Sequence, residues 1–197
     1  MDRQKSREVF QSGLADEMLR VGQVCRVFLA GPFIDPMQDA AEPVNSETFA
    51  KALRYSLNFH IGGLGHSVYL GEDEALRKAG RKQYGSLSNA VIYERHHIRK
   101  HVDAVVVIPS SPGSFCELGD WASTSEICSK MLVLVDEQYR LGPSYMNDGV
   151  LAFCKTNGAT VSHLSYSDVD EGKKLIEEHV GTIVSRKLVD ELYDRAT

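Results

Sequence analysis

The chain is short of the features that mark extracellular, metal-bound, membrane or polymer-binding proteins. It has only four cysteines, Cys25, Cys116, Cys128 and Cys154. None forms a Cys-x-x-Cys pair, so neither a disulfide framework nor a zinc site is expected, and the four read as reduced core thiols of a cytoplasmic protein. No segment approaches the roughly 20 consecutive apolar residues of a membrane span. The first twenty residues, "MDRQKSREVFQSGLADEMLR", are too polar for a signal peptide. A basic excess is also missing: 22 Lys and Arg face 27 Asp and Glu, for a net charge of −5. A nucleic-acid polymer is therefore not expected as the main partner, although a local cationic pocket for a small anion is allowed. There is no internal repeat, low-complexity tract or linker. The 197 residues suit one domain spanning 1–197.

What is present is a rhythm of short apolar runs and amphipathic stretches, the pattern of βαβ units. Strands are expected at Arg26–Ala30, Ser67–Leu70, Ala104–Ile108, Met131–Val135 and Thr160–Leu164. The third and fourth are continuously apolar, as in strands covered on both faces. Helices are expected at 1–22, Ser46–Phe59, Asp73–Lys82, Asn89–His101, Phe115–Lys130, Tyr145–Lys155 and 168–195. In the last, Leu175, Ile176, Val180, Ile183, Val184, Leu188 and Leu192 form one stripe. The expected fold is α/β, a flavodoxin-like doubly wound five-stranded parallel sheet with helices on both faces. Such sheets bind ligands outside the carboxyl ends of their strands, at the switch point. That rule brings together "AGPFIDPMQD" after the first strand and "PSSPGSFCE" after the third.

In the first loop, Gly31 allows a ligand close to the backbone and Pro32 fixes the turn, or the pair is simple punctuation. In the second, Ser111, Gly113 and Ser114 offer hydroxyls and backbone N–H groups at a helix N-terminus to an anionic or hydroxyl-rich ligand. Glu117 is expected in the first turn of that helix, where the helix field would keep it ionised. Two readings compete for it. Ser114-x-x-Glu117 has the form of a capping box, and an ionised, positioned carboxylate is also what traps a sugar cation as a covalent glycosyl-enzyme.

On these residues the chain resembles the nucleoside 2-deoxyribosyltransferase superfamily, which includes the 2'-deoxynucleoside 5'-phosphate N-hydrolases. "VFLAGPF" resembles its first strand and glycine turn, "IYERHHIRKHVDAVVV" its helix and third strand, and "SPGSFCELGDWA" its nucleophile loop. The resemblance implies a single nucleoside deoxyribosyltransferase-like domain that cleaves or transfers across a sugar–base N-glycosidic bond without a cofactor or metal. Glu117 matches the nucleophile and Ser111 the residue that holds the sugar or its 5'-phosphate. Phe28 and Gly31 match the wall of the site, with Phe28 where the family often has tyrosine. The family's acid on the helix before the third strand is an aspartate; "ERHH" stands there, so Glu94 or His96 fills that role or it lies elsewhere. Pro32 and Ile34 replace the monophosphate-gripping serine and arginine of the hydrolases, leaving Asp35 to meet a ribose hydroxyl or a base. Asn147 matches, loosely, an asparagine that transferases lend across a subunit interface, and members are homo-oligomers, so a homodimer or larger assembly is implied. Phe33 either stacks the base or belongs to the core.

TIR domains share this architecture, and some cleave NAD with a glutamate in a comparable place; "SFCEL" is similar to their Ser-x-Trp-Cys-x-x-Glu-Leu at shorter spacing. The expected substrate is thus a nucleoside, a nucleotide or NAD, with a non-catalytic nucleotide sensor in a defence or signalling assembly as the alternative. His96, His97 and His101 form "HHxxxH" with no third ligand at metal-binding spacing, and a solvated helix face is expected. "IGGLGH" precedes a strand and reads as a turn; Trp121 reads as packing.

Overall fold

The computed structural model describes residues 24–37 and 46–193; the expected helix at 1–22 lies outside them. Five strands, β1 (Arg26–Ala30), β2 (Ser67–Tyr69), β3 (Ala104–Val107), β4 (Met131–Asp136) and β5 (Thr160–Leu164), form one sheet in the order β2-β1-β3-β4-β5. Every pairing is parallel, with Phe28 beside Val105 and Tyr69. This is the expected flavodoxin-like order, and its direction reverses between β1 and β3.

The two faces of the sheet bury separate cores, because alternate strand residues point to opposite sides. Val27, Leu29, Val106, Leu132 and Leu134 pack under α1 (Ser46–Gly63) and α7 (Val169–Leu192), against Leu53, Leu57, Ile61, Ile176 and Val180. Phe28, Val105, Val107, Val133 and Val135 pack on the other side against Tyr93 and Ile98 of α3 (Ala90–His101), Leu118 and Trp121 of α4 (Pro112–Ala122), and α5 (Ser125–Cys128). Each such fully buried aliphatic or aromatic side chain contributes about 1.5–3 kcal/mol. Trp121 is indeed packing: it meets Phe28 edge-on at 5.7 Å.

Several boundaries differ from expectation for local reasons. Helix α1 runs four residues past Phe59, because Ile61 continues the buried stripe of Ala50, Leu53 and Leu57. The expected helix Phe115–Lys130 is two helices. It starts earlier, since Ser111 caps it and Pro112 occupies its first position. It breaks at Ser123 and Thr124, where Ser123 Oγ donates to Asp120 O and Thr124 Oγ1 accepts from Arg95 Nη2 at 2.6 Å. The segment Tyr145–Leu151 is a π-helix that leads into α6 (Ala152–Thr156). Helix α2 (Glu74–Tyr84) follows β2. In α7, Gly172 lets the helix meet α1, since a Cβ there would lie 2.8 Å from Leu53 Cδ1.

Candidate active site

The loop after β3 is built around two serines. Ser111 is the N-cap of α4; its Oγ accepts from Ser114 N, and Ser114 Oγ accepts from Ser110 N at 3.0 Å and Ser111 N at 2.9 Å. The capping box therefore joins Ser111 to Ser114, not Ser114 to Glu117. Ser114 is buried and Gly113 exposed. Glu117 lies beyond the first turn of α4, which carries no acidic residue. The expectation that the helix field holds its charge is corrected accordingly: burial raises its carboxyl above the ordinary range, with Glu72 adding to the rise and the Arg54 guanidinium drawing it back. Glu117 Oε2 is buried with no hydrogen-bond partner among the described residues. That excludes the capping role and leaves an oxygen with an unused lone pair.

Around it stand three residues from other elements. Glu94, on α3, is 5% exposed. Burial, then the charges of Glu117 and Glu72, push its carboxyl up to about 8. The two carboxyls are coupled, and a charge on Glu117 raises Glu94. Glu94, pushed up to about 8, keeps its proton at neutral pH, while the Arg54 guanidinium draws Glu117 back toward its charged form. Gly71 makes the room: a Cβ there would lie 2.7 Å from Glu94 Oε1 and 3.8 Å from Phe28 Cζ.

Arg54 and Glu72 did not emerge from the sequence. Arg54, on α1, is 1% exposed. It donates to Leu29 O through Nη2 and Nε, to Pro32 O through Nη1, and to both Glu72 oxygens at 2.6 and 2.9 Å. Glu72 Oε1 also accepts from Ile34 N. One guanidinium thus ties the end of β1 to the end of β2 while its charge reaches Glu117. Gly31 is small because Arg54 passes it; a Cβ would lie 3.0 Å from Arg54 Cδ. A charge inside the stripe Ala50, Leu53, Leu57 and Ile61 was the available signal, since buried arginines are rare unless paired.

The remaining expected residues divide. Phe28 is fully buried, its ring between Trp121 and His97. Phe33 is 70% exposed and so is not core. Asp35 accepts from Met37 N in the same loop. His96 faces α2, with Nδ1 2.5 Å from Tyr84 Oη. Asn147 sits after β4, where its amide donates to Tyr139 O and Gly142 O.

Two other readings are corrected. His97 is not on a solvated face: its ring packs 4.6 Å from Tyr69. Its Nε2 is buried without a partner among the described residues, and burial, with His101 and His96 nearby, holds it down to about 4. Cys116 is exposed, unlike the buried Cys25, Cys128 and Cys154. Among the described residues no group of three His, Cys, Asp or Glu is placed to hold a metal ion, and no helix is long and apolar enough to cross a membrane.

Comparison with known proteins adds family to geometry. The family described as STM3845 retron effector protein matches residues 74–196, well over half of the chain. The chain belongs to this retron effector family. A curated relative, the retron Ec86 putative ribosyltransferase/DNA-binding protein of Escherichia coli, is 30% identical over 94 residues. That match covers 47% of this chain and 29% of the relative, so the chain spans under a third of that protein's length. Among solved structures, the CMP N-glycosidase BcmB of Clostridium botulinum aligns with 78% of this chain and 98% of its own, at 18% identity and a TM-score of 0.45.

Proposed function

We propose that the protein cleaves the sugar–base N-glycosidic bond of a nucleoside or nucleotide through a covalent glycosyl ester on Glu117. The observation that carries this is the unpartnered, buried Glu117 oxygen beside a carboxyl, Glu94, that keeps its proton at neutral pH. Two carboxyl groups whose surroundings separate their ionisation provide a base or nucleophile and an acid in one site. The description of the Escherichia coli relative as a putative ribosyltransferase supports the same chemistry.

In the first half-reaction Glu117 forms a bond to the anomeric carbon while the carbon–nitrogen bond breaks. The bonding electrons pass to the base nitrogen, which takes the proton from Glu94 and leaves neutral. In the second, water attacks the same carbon, the Glu117–carbon bond breaks, and the water proton returns to Glu94. The sum is one water consumed, one free base and one sugar released. Arg54 keeps Glu117 ionised at the start and holds the β1 and β2 ends in register.

The test is incubation with a panel of nucleosides, nucleotides and NAD, with free base read by chromatography. Release that vanishes in Glu117→Gln supports the proposal. Release that persists in the variant, or tight binding without turnover, overturns it.

A further inference from the structure

A cavity of about 510 Å³ lies at the opposite end of the sheet, between the start of β1, the end of α3, the start of β4 and the last turns of α7. The volume falls in the range of about 300–1,000 Å³ usual for small-molecule sites. Six cationic side chains and three carboxylates line it, a surplus of three positive charges in a chain whose net charge is −5. The proposed N-glycosidase chemistry uses none of these residues.

The cations are held in place, not scattered. Asp103 anchors two of them: Arg26 donates to it through Nε and Nη2 at 3.0 and 2.9 Å, and Lys187 Nζ lies 3.2 Å away. One carboxylate thus fixes two cations and leaves one charge over. Lys130 Nζ donates to Ile98 O at 2.6 Å and Val102 O at 2.8 Å, which uses two of its three N–H groups and no carboxylate. Burial also makes its charge costly to keep. Arg99 is neutralised by Glu126 at 2.7 Å. Lys100 and Arg186 stand exposed at the rim.

We infer that this cavity is a second site, for a phosphate-bearing anion. A monocarboxylate would leave most of the surplus uncompensated, whereas a phosphate ester carries enough charge and enough acceptor oxygens for Arg26, Lys130 and Lys187 together. The phosphates can be those of a free nucleotide, which concentrates several charges at one end, or consecutive phosphodiesters of a strand, each with a single charge, so that a strand must place more than one phosphate at the cavity.

The test is calorimetric titration of the full chain with three probes: inorganic pyrophosphate, a nucleoside triphosphate and a single-stranded oligothymidylate. It is run on the wild type and on the double variant Lys100→Glu/Arg186→Glu. Both substituted residues are exposed, so folding is retained, and base release is unchanged. The inference expects binding that the double variant weakens at least about tenfold and that falls as salt rises from about 50 to 200 mM. Equal affinity for triphosphate and oligonucleotide identifies a free nucleotide as the source. Tighter oligonucleotide binding with a salt slope of several phosphates identifies a strand. No binding of any probe, or binding that the double variant leaves unchanged, overturns the inference.

Discussion

The two ends of the sheet are built on opposite charge logic. At the carboxyl end three carboxylates, Glu72, Glu94 and Glu117, gather around one buried arginine, Arg54, with Arg77 also drawing on Glu94. At the amino end one carboxylate, Asp103, serves two cations. The first group is packed away from water, so the uncompensated charge cannot be hydrated and a proton stays on Glu94 instead. The second opens to solvent at Lys100 and Arg186, so its surplus faces water and is available to an anion. Burial, more than the sign of the charge, decides whether a surplus becomes acid–base chemistry or electrostatic attraction.

Substitutions that should break this contrast are ordered here by expected effect. The largest falls at Glu117: Glu117→Gln loses at least about 10,000-fold in base release, while its urea midpoint is kept or raised, because the buried oxygen bonds nothing. Next comes Arg54→Met, which strands Glu72 and costs about 3–5 kcal/mol in urea denaturation; adding Glu72→Leu should recover only part of it, since Leu29 O, Pro32 O and Ile34 N still lose their partners. Glu94→Gln lowers turnover by about 100- to 10,000-fold and removes the decline in rate expected above a pH of about 8. It also reports on stability. Between its ordinary carboxyl range and about 8 the folded protein holds a proton that the unfolded chain has lost, so stability falls as pH rises through that window. Denaturation midpoints across that range should flatten in the variant. Gly71→Ala drives a methyl onto Glu94 Oε1 and costs about 1–3 kcal/mol, read by thermal melting. The smallest effect is at the open end. Arg99→Ala removes a half-exposed pair with Glu126 and shifts stability by less than about 1 kcal/mol.

Much of the fold could be read in advance because the strands are short runs, mostly apolar, set off by turns and amphipathic stretches. Arg26–Ala30 and Thr160–Leu164 match residue for residue. Helix ends were harder, since they depend on single caps: Ser111 and Pro112 carried the start signal for α4, and reading Ser114 as the cap displaced Glu117 into the wrong turn. The two loops that carry Gly31 and Glu117 followed from the switch-point rule. Applied to the end of β2 as well, that rule would have reached "YLGED", and with it Gly71 and Glu72. Arg54 required a different signal, a charge within an apolar helical stripe. Its five hydrogen bonds join residues too far apart in sequence for local pattern to reveal. His97 was misplaced because spacing along α3 does not show that Tyr69 and Phe28 approach it from the sheet.

The claim at the centre is a bond between a Glu117 oxygen and a sugar carbon. Acid quenching during turnover, followed by proteolysis and mass spectrometry of the peptide spanning Pro112–Ala122, measures it directly. The account predicts a pentosyl mass increase that fragmentation places on Glu117 and that Glu117→Gln abolishes. Base release with no adduct on that peptide, or an adduct on another residue, would contradict it.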